Sequence, residues 1–114
     1  MKLLPSLRQK KRYVVFEILS DSKFTWKEIQ EEVQRCLQQF LGDLGLSKAS
    51  PLLITEKFNP HAQRFILKVN HIYVDEAKAA LTLSKKIKNT PLIIRSIMVS
   101  GTLKQASSYT RGVS

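Results

Sequence analysis

The run "RQKKR" places Arg8, Lys10, Lys11 and Arg12 ahead of the first acid, Glu17. Guanidinium and ammonium groups at this density make charge-assisted hydrogen bonds to phosphate oxygens. From Lys78 to Arg111 every charged side chain is again a cation, while the acids lie mostly between Glu17 and Asp43. Two basic ends around a mixed middle, with a formal net charge of +10 in 114 residues, give a directional field. Such a field suits a polyanion, nucleic acid foremost, with an anionic membrane surface a weaker fit. The bland alternative is a basic surface that serves solubility alone.

Groups that could break bonds are sparse. Cys36 falls on the apolar face of an expected helix, which argues against a catalytic thiol. His61 and His71 have no cysteine or acidic cluster placed to complete a metal site, and read as ordinary surface histidines. No nucleophile-base spacing or phosphate loop is present, so no catalytic residue, metal or cofactor is assigned to the chain. "GDLG", Gly42 to Gly45, formally matches the GXXG loop of an RNA-binding module, but it follows an amphipathic helix and reads better as that helix's stop. No apolar run reaches the ~18–20 residues of a membrane helix. "MKLLPSL" is cut short by Pro5 and Arg8, too brief for a signal-peptide core. A single cysteine excludes an intrachain disulfide and fits a reduced, intracellular compartment.

These side chains need a scaffold, and apolar content of 43% supports one modest core. "RYVVFEIL", Arg12 to Leu19, is rich in β-branched and aromatic residues and predicts a strand. Thr25 and Glu28 form a capping box, and Phe24 and Ile29 a hydrophobic staple. Ile29, Val33, Cys36, Leu37, Phe40, Leu41 and Leu44 recur at helical spacing, with Gly42 and Gly45 as the stop. "SPLLITEKF", Ser50 to Phe58, and "QRFILKVN", Gln63 to Asn70, predict a hairpin. A second helix runs from Asn70 or His71 to about Lys88, its face marked by Val74, Ala77, Leu81, Ser84 and Ile87. Its terminal lysines suit the helix dipole. "PLIIRSIMV" is the last strand. The order β-α-β-β-α-β gives an α+β, split βαβ (ferredoxin-like or RRM-like) fold: a four-stranded antiparallel sheet with both helices on one face. The chain divides into a basic N-terminal arm (1–11), one α+β domain (12–104) and a polar tail (105–114), with a helical turn near Leu103.

Strand alternation puts Val14, Phe16, Ile18, Phe65, Leu67, Val69, Leu92, Ile94 and Met98 under the helices. The opposite face then carries Tyr13, Val15, Ile66, Ile93, Ile97 and Val99, with Arg64, Lys68 and Arg95 among them. That is more apolar surface than an open face usually shows, and it marks a partner interface. A protein partner is the favoured cover. The tail or arm folding back, or nucleic acid stacked there, would also serve. The third strand lacks the Gly-aromatic pattern of RNA-stacking split-βαβ domains, which leaves Tyr13 as a lone stacking candidate. Acylphosphatases share the element order, but "SDSKFTW" after the first strand has neither the glycines nor the arginine of their phosphate cradle.

"KKRYVVFEI", "LGDLG" and "LIIRSIMVSGTLK", in that order from Lys10 to Lys104, resemble the ribonuclease P protein component 2 family of archaea and eukaryotes. The resemblance implies a subunit of the ribonucleoprotein that removes 5′ leaders from precursor tRNA, where the RNA and its Mg²⁺ ions hydrolyse the bond. It implies pairing with ribonuclease P protein component 3, with a homodimer inside a two-plus-two assembly. Precursor tRNA would be met only indirectly, and no membrane. The location would be cytoplasmic in an archaeon or nuclear in a eukaryote. Arg8, Lys10, Lys11 and Arg12 would then contact RNA as an arm, with Lys48, Arg95 and Lys104 as a more rigid set. Two rivals are a basic protein-protein scaffold or dimerisation module, and a ribosomal-type RNA chaperone.

Overall fold

The computed structural model describes residues 10–111. β1 (Lys11–Leu19) is the axis of an antiparallel sheet. It lies between β3 (Arg64–Asn70) and β6 (Ile93–Ser100), and the short β2 (Leu52–Leu53) flanks β3. Val14 pairs with Leu67 and Phe16 with Phe65, so one face of both strands is continuously apolar. The Phe16 and Phe65 rings stack at 5.4 Å, a pairing that adds to the burial of both rings.

Two helices cover that face. α1 (Trp26–Ala49) starts on the expected capping box: Thr25 Oγ1 accepts from the Glu28 N–H at 3.3 Å, and Glu28 Oε1 accepts from the Thr25 N–H at 2.9 Å. Ile29, Val33, Cys36 and Leu37 are buried as their spacing requires. Gly42 supplies the expected stop, but Gly45 does not. Gly42, at φ 71° and ψ 178°, breaks the helix, and helical residues resume to Ala49. Ser50 caps the end in the left-handed region, donating its N–H to the Leu46 carbonyl at 2.8 Å. Phe40, just before the break, and Leu44, just after it, are 44% and 70% exposed.

α2 (Val74–Thr82) is shorter than its periodicity suggests. It follows a 3₁₀ turn, His71–Tyr73, and is succeeded by a tight hairpin of β4 (Lys86–Ile87) and β5 (Thr90–Pro91). Lys88 and Asn89 form the hairpin turn with φ of 50° and 68°, the backbone a two-residue hairpin loop favours. The lysines expected to cap the helix therefore line the hairpin, and Ile87 still reaches the core. The strand expected over Ser50 to Phe58 pairs only at Leu52–Leu53 before a 3₁₀ turn, Thr55–Lys57.

The opposite face of the sheet is covered by the chain itself. α3 (Leu103–Thr110) occupies most of the polar tail, capped by Thr102, whose side chain accepts from the Gln105 N–H. Ala106 packs against Val15 and Ile66 in a second cluster with Leu103, Ile97 and Met98. Small side chains on α3 allow the close approach. Met98 joins this cluster, and not the helix side, because β6 carries a bulge. Val15 pairs with Met98 but Phe16 with Ser96, leaving Ile97 as the extra residue. One added residue flips the side chains beyond it. Val99 thus lies opposite Val14 on the α1 and α2 side, not on the face expected for it.

Glu17 fastens this cover. Its carboxylate accepts from Arg64 Nε at 3.0 Å and from Arg95 Nη2 at 2.8 Å. Arg64 also donates to the Tyr109 carbonyl at 2.8 Å, and Asn59 to the Thr110 carbonyl at 2.8 Å. β1, β3, β6 and the last turn of α3 meet in one polar junction. Burial alone would push the Glu17 carboxyl up; hydrogen bonds and charge from Arg95 and Arg64 outweigh it and hold the group below the usual carboxylate range.

Glu17→Gln should cost about 1–3 kcal/mol at neutral pH, because Arg64 loses its charged partner in a largely buried place. A carboxyl with a lowered folded pKa stabilises fully above its unfolded value, here 4.5, and loses that contribution as pH falls through the folded value. Urea unfolding of the wild type and Glu17→Gln should therefore converge as the pH drops through the acid range; a constant gap would contradict this. Gly42→Ala should cost about 1–3 kcal/mol from backbone strain alone, since an added Cβ meets nothing within 4 Å. An unchanged unfolding midpoint would show that the break does not require glycine.

Candidate nucleic-acid interface

Antiparallel pairing brings the start of β1 beside the ends of β3 and β6. Lys11 pairs with Asn70, and Tyr13 with both Lys68 and Ser100. The Lys10 carbonyl accepts from the His71 N–H at 2.8 Å, and His71 Nδ1 lies 3.2 Å from the same oxygen, which pins the strand entrance. Asn70 Nδ2 donates to the Lys48 carbonyl at 3.2 Å, drawing the last turn of α1 to this end. Beyond β6, a Cβ on Gly101 would lie 3.8 Å from Arg12 Nη1, so Arg12 runs against the corner that leads into α3. Lys104 follows in the first turn of α3, capped through Thr102.

Lys10, Lys11, Arg12, Lys48 and Lys104 are thus gathered at one end of the sheet from segments far apart in sequence. Lys10, Lys48 and Lys104 are exposed, and Lys11 and Arg12 partly so. The ion pairs among the described residues are Arg35–Glu32, Arg64–Glu17, Lys88–Glu28 and Arg95–Glu17, and none draws on this set. Arg8 lies outside the described residues. Arg95 is not part of the cluster. It sits opposite Glu17, about 20 Å from Lys11 at ~3.4 Å per strand residue, and its guanidinium is bound to that carboxylate.

The expected apolar interface does not survive as one surface. Val15 and Ile66 are 0% exposed beneath α3, and Ile97 is partly buried there. Tyr13 remains at the rim, partly buried, with Lys68 Nζ 5.9 Å from its ring centroid. Ile93, 61% exposed, lies at the far end of the sheet beside Leu19. Val99 is on the other face. Exposed apolar side chains that sequence periodicity missed include Ile72, Leu83, which lines a groove between α1 and α2 with Phe40, and Leu52, beside a larger groove between α1 and β2. Lys68 was also missed as a member of the basic end. Its place there is set by the β1–β3 register, which pairs it with Tyr13 and which no local sequence pattern specifies.

The chemistry of this end is electrostatic. Burial foremost pushes the Cys36 thiol up to about 11, which keeps it protonated and inert at neutral pH. Among the described residues, no grouping of His, Cys, Asp or Glu could hold a metal ion. No helix among them is long and apolar enough to cross a membrane. What the site offers is a set of cations on strand and helix ends, suited to contacting a phosphate backbone.

Comparison with known proteins agrees with this architecture. Residues 12–111 match the model of the Rpp14/Pop5 family. The chain is 39% identical to ribonuclease P protein component 2 of Pyrococcus horikoshii over 90% of its length and 84% of that protein. It is 35% identical to the protein of the same name from Methanocaldococcus jannaschii, covering 97% of this chain and 80% of that one. It is 32% identical to the ribonuclease P/MRP protein subunit POP5 of Schizosaccharomyces pombe, covering 88% and 82%. A chain in the cryo-EM structure of yeast ribonuclease MRP superposes with a TM-score of 0.64 at 11% identity, covering 91% of this chain and 88% of that one, a likeness of fold. The sheet order, the two helices on one face and matches that run through nearly the whole described chain lead to one conclusion: this protein belongs to the Rpp14/Pop5 family.

Proposed function

We propose that the chain is a protein subunit of ribonuclease P that meets the RNA through the basic end of its sheet. The observation that carries this reading is the convergence of Lys10, Lys11, Arg12, Lys48 and Lys104 with no acid among the described residues paired to them. Family membership supplies the particle; the cation cluster supplies the contact surface. In this reading the RNA and its Mg²⁺ ions hydrolyse the precursor, and the protein binds no cofactor of its own. Cations held over the catalytic domain of the RNA neutralise phosphates, lower its self-repulsion, and so reduce the Mg²⁺ needed to fold and work.

Pairing with ribonuclease P protein component 3, and a homodimer within a two-plus-two assembly, belong to the same reading. Apolar surface for that pairing remains outside α3, where Phe40 and Leu83 flank the groove between α1 and α2. Precursor tRNA is met indirectly, in the cytoplasm of an archaeon or the nucleus of a eukaryote.

Reconstituted cleavage of precursor tRNA, with the RNA and component 3 at limiting Mg²⁺, should accelerate when this chain is added; an unchanged rate would sink the proposal. If ~5 phosphates are engaged, log K should fall with log salt at a slope of roughly −3.5 to −4.5. Replacing Lys10, Lys11 and Arg12 by glutamine should flatten that slope by about 2–3. Arg95→Gln should leave it nearly unchanged, because that side chain is held on Glu17 at about 20 Å from the cluster. Equal effects from Arg95 and from the cluster would count against the site.

A further inference from the structure

We propose that Tyr13 is a stacking platform for one unpaired RNA nucleotide, with Lys11, Lys68 and Lys104 placed to take the phosphates beside it. This rests on the RNA-binding reading above and deepens it, naming the part of the RNA and the side chain that receives it. Alternation along β1 puts Lys11, Tyr13 and Val15 on the α3 side of the sheet. α3 begins at Leu103 and seals Val15 and Ile66 completely, but Tyr13 lies where that cover stops and is only partly buried. Its neighbours are fixed by pairing: Lys68 across on β3, Ser100 across on β6, and Leu103 packed in the same cluster.

The charges around the ring come from three elements. Lys11 precedes it on β1 and Lys68 Nζ stands 5.9 Å from the ring centroid. That ammonium stands over the ring at the outer range of a cation–π contact, so a base taking that face displaces it toward the neighbouring phosphate. Lys104 is exposed in the first turn of α3, whose positive end faces the same rim. The acid of β1, Glu17, lies further along this face and is held by Arg64 and Arg95. A flat apolar ring among cations from separate elements, with no carboxylate among the described residues paired to them, fits a ligand that is aromatic and anionic at once. A nucleotide is both. A base inside a duplex cannot offer its face, so the site selects unpaired RNA.

The test uses the purified chain with a short oligouridylate and with a blunt RNA duplex. Tyr13→Leu keeps apolar volume at the rim and removes the ring's stacking face; Tyr13→Trp keeps and enlarges it. Tyr13→Leu should weaken oligouridylate binding by about fivefold or more, leave its salt slope intact, and spare duplex binding; Tyr13→Trp should bind at least as tightly as wild type. Lys68→Gln should flatten the oligouridylate salt slope by about 0.7. Indistinguishable Leu and Trp variants, or equal losses on both RNAs, would overturn the platform while leaving the RNA-binding reading in place. A wild-type chain with no salt-dependent RNA affinity would overturn both. Weaker pairing of Tyr13→Leu with component 3, with RNA affinity unchanged, would assign the ring to a protein contact and overturn the proposal. In the reconstituted particle, thiouridine placed in either the ribonuclease P RNA or the precursor should photocrosslink next to Tyr13 from one of them. A crosslink from neither would contradict the site.

Discussion

Pairing of β1 with both β3 and β6 is the constraint on which the rest of the protein depends. Antiparallel neighbours on both sides return the chain to the start of β1 twice, once at Asn70 and once at Ser100. Each return brings a basic segment with it. The first draws in Lys68 and, through Asn70, the end of α1 with Lys48. The second delivers Gly101 to Arg12 and then Lys104. A charge cluster that no single stretch of sequence contains is thus a product of strand register. Like charges held together repel, so burial elsewhere must offset the cost. The core beneath α1 and α2, with Phe16 and Phe65 at its centre, supplies that offset.

The second face shows how a small domain disposes of excess apolar surface. Val15, Ile66, Ile97 and Met98 would form an open patch on a bare four-stranded sheet. α3 closes it with little bulk, because Ala106 and Ser107 let the helix come close. The arrangement needs an anchor at the far end, and Glu17 provides it by orienting Arg64 toward the Tyr109 carbonyl. A cation at the last carbonyls of a helix also complements its dipole. Arg95, a lone charge in an apolar strand, is therefore part of the closure of the fold and stands apart from the basic end.

Much of this was legible in the sequence where the signal is local. The Thr25–Glu28 box, the Ile29 to Leu37 stripe and the alternation of Val14, Phe16 and Ile18 each specify geometry within a few residues. What escaped depends on partners distant in sequence. The bulge at Ile97 is defined only against Val15 and Phe16, so Met98 and Val99 were assigned to each other's faces. The Lys88–Asn89 turn hides inside a lysine run that also suits a helix end. α3 is short and polar in composition, and its buried stripe is built from the small side chains Ala106, Ser107 and Thr110, so its apolar signal is weak. Of the basic end, the arm was readable as a run, while Lys68 required the register. Arg95 looked available because its partner, Glu17, sits in a different strand.

In the proposed function, RNA meets the end of the sheet where Lys10, Lys11, Lys48 and Lys104 converge. Lysine acetylation read by mass spectrometry, with and without the ribonuclease P RNA, tests it most directly. Lys10, Lys11, Lys48, Lys68 and Lys104 should be protected, and labelling of Lys85 and Lys86 beside and on the β4–β5 hairpin should be unchanged. Protection of the hairpin lysines with the sheet end still labelled would contradict that function.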